Sequence, residues 1–309
     1  MRYVYFSLLL LTSSLWAGNF IISKSLVEHA SSMTLTSLRW IIAVIVLLPF
    51  VWWKERKILP SRDALFPLFL MGITGVTLFN LLQFAALEHT SATNAGLIST
   101  FNMISIALFS FIFLKEKMNK RQILSIIFSF LGVMLVLSKG NIDLFLSFQF
   151  NSGDGYMFAA VAIWGIYSVC SKWALSKTSA MMATLYSGIF GLLVLLPFNL
   201  SSFAVSNINA SFIQSMLYTG VISTVVCTVL WNLGVKHVGA TVSGLFLNFN
   251  PIFTAIFAFL FLGEQMTSIQ VIGSSIVIAG CYAFSHFKTK NIPNKADVRH
   301  SLQNYKNTV

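Results

Sequence analysis

The sequence predicts an all-α polytopic membrane protein with ten transmembrane helices, built as two inverted five-helix repeats. Three observations carry that prediction. The 309 residues are 56% hydrophobic and only 9% charged, far more apolar surface than a soluble core of this length could hide. Apolar runs of about 20 residues, long enough to cross the hydrocarbon of a bilayer, recur along the chain. The stretch 89–116 also returns at 237–264 without a gap, identical at half of its positions, including His89/His237, Gly96/Gly244, Asn102/Asn250 and Glu116/Glu264.

In order, the expected spans are residues 4–22, 33–53, 65–87, 92–114 and 123–137, then 155–175, 181–198, 212–233, 240–262 and 269–287. Helices are the physical choice, because backbone facing lipid must satisfy its own hydrogen bonds and these runs lack the period-two pattern of barrel strands. The first run follows a basic Arg2 and resembles a secretory signal, but Leu15-Trp16-Ala17 is a poor cleavage site, so it is expected to stay as a span. The organisation expected is one repeat over 1–140, a second over 141–287, and a polar, basic tail over 288–309, disordered at the cytoplasmic surface.

Lys and Arg give the orientation. All of them except Lys24, Arg39 and Lys139 fall at the N-terminus, in the even-numbered connections or in the tail, counting Lys172 at the end of the sixth span with the connection it leads into. Both termini are therefore expected in the cytoplasm, with the chain crossing the cell membrane many times. A pI near 9.7 is explained by this topology rather than by nucleic acid, which is not expected as a partner. The lipid bilayer and a small-molecule substrate are.

The same offset of 148 residues pairs Trp16/Trp164, Lys24/Lys172, Pro49/Pro197, Gly72/Gly220 and Gly132/Gly280, so the duplication covers all five spans of each half. Five is odd, so the second copy must enter the bilayer upside down. The charges agree: Lys115, Lys117, Lys120 and Arg121 follow the fourth span, whereas Gly263-Glu264-Gln265 after the ninth has no basic residue. Inverted repeats are the usual architecture of secondary transporters, because two pseudo-symmetric halves can exchange conformations around a shared central site.

Candidate site residues are polar or amphipathic groups at matched positions. Trp16, Asn19 and Ser23 share a face of the first span and Trp164, Tyr167 and Ser171 that of the sixth. Asn80 and Gln83 in the third correspond to Thr228 and Trp231 in the eighth. Asn102 and Asn250 are costly in lipid and should face the bundle interior. The expected substrate-binding set is thus Trp16, Asn19, Asn80, Gln83, Asn102, Trp164, Tyr167, Trp231 and Asn250.

A second pattern is a stripe of small or polar residues, Ala92, Gly96, Thr100, Met103, Ala107 and Ser110 in the fourth span and Ala240, Gly244, Asn248, Pro251, Ala255 and Ala258 in the ninth. It fits either close helix packing or a cavity lining. Pro251 should kink the ninth span and free the carbonyl of Leu247. Glu116 and Glu264 close their spans and are expected to be structural or gating groups. Arg39 is expected to snorkel or be paired rather than to bind substrate.

No Asp or Glu lies in the middle of any span, so proton coupling, although open, has no obvious carboxylate to carry it. Cys170, Cys227 and Cys281 lack metal-ligand spacing, and neither a metal, a cofactor nor a catalytic constellation is expected. The sequence leaves the oligomeric state open.

With these residues assembled, the chain resembles the ten-helix bacterial EamA family of the drug/metabolite transporter superfamily over most of its length. The resemblance rests on Leu15-Trp16-Ala17-Gly18-Asn19-Phe20, Leu38-Arg39-Trp40, Ala86-Leu87-Glu88-His89-Thr90-Ser91-Ala92, Asn250-Pro251-Ile252-Phe253 and Phe261-Leu262-Gly263-Glu264, with Gly273 and Gly280. The chain departs from the family pattern at Met103, where proline is frequent, and at Lys115, in place of glycine. The resemblance implies efflux of small metabolites, often amino acids, through a cavity lined by the first, third, fourth, sixth, eighth and ninth helices. Other members carry drugs, sugars or nucleotide-linked compounds. A membrane-embedded enzyme and a passive channel are the rival readings. The first would need a catalytic constellation beyond the span-flanking His89 and His237, and the second a ring of charge or filter carbonyls.

Overall fold

The structure is a computed structural model and describes residues 2–139, 141, 150–262 and 265–287. The tail 288–309 and Glu264, both subjects of the expectations above, lie outside the described residues. Among these, ten helices are long and apolar enough to cross a membrane: α1 Arg2–Leu26, α2 Ser32–Glu55, α3 Arg62–His89, α4 Ala92–Leu114, α5 Lys120–Ser138, α6 Ser152–Leu175, α7 Ala180–Asn199, α8 Ala210–Val238, α9 Ala240–Leu260 and α10 Ser268–His286.

Local chemistry sets the helix starts. Ser31 caps α2 by accepting from the Thr34 amide, and its repeat mate Ser179 caps α7 by accepting from the Met182 amide. The α5 and α10 starts are matched capping boxes, Asn119 with Gln122 and Thr267 with Gln270, each satisfying amides that would otherwise be orphaned. At the other end of α4, Lys115 takes the left-handed conformation with φ 55°. That conformation favours glycine at a helix end, the residue that the sequence carries at the repeat-equivalent position 263.

Small residues set the packing. The backbones of α5 and α10 meet at Gly132 and Gly273, where an added Cβ would lie 2.8 Å from the Gly273 carbonyl or 2.7 Å from the Gly132 carbonyl. Close approach of this kind substitutes van der Waals contact for the hydrophobic drive that lipid removes. The pair, with Met103, Ala107, Leu245 and Ile252 of α4 and α9, forms one apolar cluster. A larger one runs through α1, α2, α3, α6, α7 and α8.

Several spans are not continuous α-helices, and in two pairs of repeat mates the irregularities come in matched places. α3 is π-helical over Gly72–Leu78 and α8 over Tyr218–Val226. α4 is interrupted between Ser99 and Asn102, and α9 by a 3-10 stretch over Phe246–Phe249 that ends at Asn250. α1 breaks between Trp16 and Asn19. Backbone groups released at the breaks find partners: the Ala17 carbonyl accepts from Thr254 Oγ1 at 3.1 Å, and the Leu15 carbonyl from the Tyr218 hydroxyl.

Candidate functional site

The irregular segments converge on a cavity between the two halves of the chain. It is lined by Trp16, Asn19, Phe20, Arg39, Trp40, Gly75, Phe79, Asn80, Gln83, Ser99, Asn102, Trp164, Tyr167, Ser223, Thr224, Thr228, Leu247 and Asn250. Its volume is about 70 Å³, room for a few waters. A metabolite would require these walls to move apart.

The π-helical turns aim polar groups into this space. In α3 the wider turn leaves carbonyls off the regular ladder, and Asn80 Nδ2 donates to the carbonyls of Gly75 at 2.8 Å and Val76 at 3.0 Å. In α8 the Thr224 hydroxyl donates to the Thr219 carbonyl at 2.6 Å. Gly75 has a steric reason: a Cβ there would stand 2.2 Å from the Tyr167 ring.

A polar network crosses the halves. Arg39 Nε donates to Thr224 Oγ1, and its two Nη atoms donate to Asn80 Oδ1 at 3.1 Å and Ser223 Oγ at 2.9 Å. The Ser223 hydroxyl donates to Asn19 Oδ1 at 2.8 Å, and Trp16 Nε1 donates to the Ser223 carbonyl at 2.9 Å. Aromatic rings form the opposite wall. Trp164 stands 5.7 Å from Trp16 in an edge-on contact, 4.6 Å from Phe79 and 4.8 Å from Tyr167.

Eight of the nine residues expected to bind substrate line the cavity. Trp231 does not: it is completely buried and packs behind the lining, its ring 5.9 Å from Trp16 and 5.7 Å from Trp164. It therefore supports the aromatic wall rather than facing the space. The small-residue stripes of α4 and α9 are packing surfaces. Gly244 abuts Ile106, and Asn248 donates to Ser129 Oγ at 2.9 Å, while Asn102 and Asn250, one helical step off the stripes, face the cavity.

Pro251 follows the 3-10 stretch as a kink requires, but the Leu247 carbonyl is not free, because the Asn250 amide donates to it. Glu116 accepts from the Thr241 hydroxyl at 2.7 Å, tying the end of α4 to the start of α9.

Sequence reasoning missed Arg39 as a cavity residue, along with Trp40, Phe20, Phe79, Gly75, Ser99, Ser223 and Thr224. Arg39 does not snorkel: it is 6% exposed. The signal was present, since Arg39 is a basic residue stranded inside an apolar run. Phe20 and Trp40 stand inside motifs that carry the family resemblance, and the others carry nothing in sequence that separates them from packing residues.

The EamA-like transporter family matches residues 4–138 and again 151–285. The chain belongs to this family. Among similar proteins are an uncharacterized transporter of Archaeoglobus fulgidus, 32% identical over 89% of this chain and 95% of its own, and the uncharacterized transporter YyaM of Bacillus subtilis, 29% identical over 91% and 93%. An S-adenosylmethionine/S-adenosylhomocysteine transporter of Chlamydia muridarum is 26% identical over 90% and 91%. A solved crystal structure shares the fold with a TM-score of 0.75 at 16% identity, covering 95% of this chain and 99% of that one. Family membership makes this chain a multi-pass membrane transporter and not an enzyme.

Proposed function

We propose that the chain is a secondary transporter of the cell membrane that exports a small polar metabolite, with amino acids the first candidates, by alternating access through the central cavity. The observation that carries this reading is the make-up of the cavity lining. Six pairs of lining residues stand at the repeat offset: Trp16/Trp164, Asn19/Tyr167, Gly75/Ser223, Asn80/Thr228, Ser99/Leu247 and Asn102/Asn250. A site assembled from equivalent positions of two repeats sits on the axis that relates them. If the second repeat is inverted, as its odd number of spans requires, that axis lies in the membrane plane, and exchanging the conformations of the halves would turn the site from one face to the other.

Latches at the ends of the bundle support the same reading. Lys24 Nζ donates to the carbonyls of Leu87 and Thr90, holding α1 to the end of α3. Its mate Lys172 donates to the carbonyls of Val235 and Lys236, both at 3.0 Å, holding α6 to the end of α8. Under the orientation given by the basic connections, with both termini cytoplasmic, Lys24 lies outside and Lys172 inside. Cations at helix C-termini interact favourably with the exposed carbonyls and are easily exchanged for water, which suits contacts that open in turn.

The test is transport by the purified protein in liposomes. A carrier gives saturable uptake and counterflow of its solute, and conductance without saturation or counterflow would overturn the reading. Metabolite profiling of cells with and without the protein names the cargo: an exporter lowers its solute inside and raises it in the medium, and the reverse pattern would overturn the direction.

A further inference from the structure

The cavity holds a fixed positive charge that no carboxylate of the described residues answers. Thr224, Asn80 and Ser223, the three acceptors that hold Arg39, are all neutral. They use three of the guanidinium's five N–H donors and fix its plane, because Ser223 is itself held by Asn19 and Asn80 by the carbonyls of the π-helical turn. A charge withdrawn from water into a bilayer is costly and persists where something compensates it. The repeat mate of Arg39 is Ser187, so duplication does not explain the charge, which stands in one repeat alone.

A second observation points the same way. Among the cavity-lining side chains, three donors, Trp40 Nε1, Trp164 Nε1 and Gln83 Nε2, and two acceptors, Asn102 Oδ1 and Asn250 Oδ1, are buried without a hydrogen-bond partner. Indole nitrogens can only donate. A buried polar group left unpaired costs more than a made bond returns, so the three donors and the spare guanidinium N–H groups call for acceptor oxygens that carry negative charge, while the amide oxygens of Asn102 and Asn250 call for a donor elsewhere on the same solute.

We propose that the cavity binds an anionic group of the transported solute, a carboxylate or a phosphate, on the guanidinium of Arg39. The proposal names the substrate class of the cavity described above and rests on the transporter reading only for movement of the bound solute.

The full-length protein, purified in detergent, is titrated by intrinsic tryptophan fluorescence, since Trp16, Trp40 and Trp164 line the cavity. The probes are matched pairs: each L-amino acid with its amide for the carboxylate arm, and glycerol 3-phosphate with glycerol for the phosphate arm. At least one anionic probe is expected to bind about tenfold or more tightly than its neutral partner, the size of effect a charge-assisted contact gives. Arg39→Gln is expected to bring the pair within about twofold, and Arg39→Lys to keep part of the preference as a point charge without the fork.

The arm in which the preference appears identifies carboxylate or phosphate. Equal binding within every pair, no binding of any anionic probe, or a preference unchanged in Arg39→Gln each overturns the proposal. The pair comparison in the unmodified protein does so even if the variants do not fold. Counterflow of the same probes separates the two readings. Arg39-dependent binding without counterflow would overturn the carrier and leave the anion site, whereas counterflow indifferent to probe charge would do the opposite.

Discussion

Gly75 and Lys115 show how single residues act through backbone geometry. A methyl group at 75 would press into the Tyr167 ring, and overpacking of this kind costs about 1–3 kcal/mol. Gly75→Ala is expected to lower the unfolding midpoint in detergent, and Tyr167→Ala in the same chain is expected to recover part of the loss. An unchanged midpoint in the single variant would show that α3 and α6 are not so closely apposed. Lys115 holds a left-handed φ of 55° at a cost of about 1 kcal/mol relative to glycine. Lys115→Gly should therefore raise the midpoint, by a similar amount in free energy, with transport retained. Trp164 stands at the centre of the aromatic wall, and Trp164→Ala should reduce transport of the true solute at least tenfold (roughly 1.4 kcal/mol) in the liposome assay. Unaltered kinetics would remove the cavity from the transport path.

Helices and their interruptions carry the next level of organisation. The interruption of α4 falls at Thr100 and Phe101 and that of α9 at Phe246–Phe249, so both restart at the matched Asn102 and Asn250. Pro251 accounts for one kink, yet Met103 stands at the equivalent place in α4, which is interrupted all the same. The interruption therefore belongs to the packing of the repeat and not to proline alone. The latches are testable here. Lys24→Met and Lys172→Met, each removing one tie between neighbouring helices, should shift accessibility of the cavity in opposite directions. A cysteine placed at Ser99 should gain reactivity to an impermeant thiol reagent from outside in the first and lose it in the second, in cells whose native cysteines are replaced. Equal responses would sink the assignment of the two lysines to opposite gates.

At the scale of the whole molecule, the proposed orientation rests on the distribution of Lys and Arg and the positive-inside rule. Cysteines placed in the connection after α2, at Lys57, should be protected from impermeant reagent in intact cells, and those before α2, at Glu28, should react. The reverse pattern would invert the molecule and with it the direction assigned to each latch. Both Lys57 and Glu28 are exposed in the fold, so protection would report the membrane and not burial.

Much of this was legible in the sequence because the signals are one-dimensional. Span length and apolar content need no tertiary information in a bilayer, where each helix satisfies its own backbone. The repeat offset aligns Trp16 with Trp164 and Asn102 with Asn250 before any fold is known. What only the tertiary structure decided were matters of which face meets which neighbour. The π-helical turns of α3 and α8 leave no mark in composition, yet they rotate Gly75, Asn80, Ser223 and Thr224 into the cavity. Trp231 has the same residue type as Trp164 and touches it, and packing alone sets it behind the wall. Arg39 stands out as a charge in an apolar run, but whether it meets a carboxylate, lipid headgroups or a ring of neutral oxygens depends on Thr224 and Ser223, 185 and 184 residues away. Local pattern determines that a segment enters the membrane; the long-range contacts of its side chains determine what the segment does there.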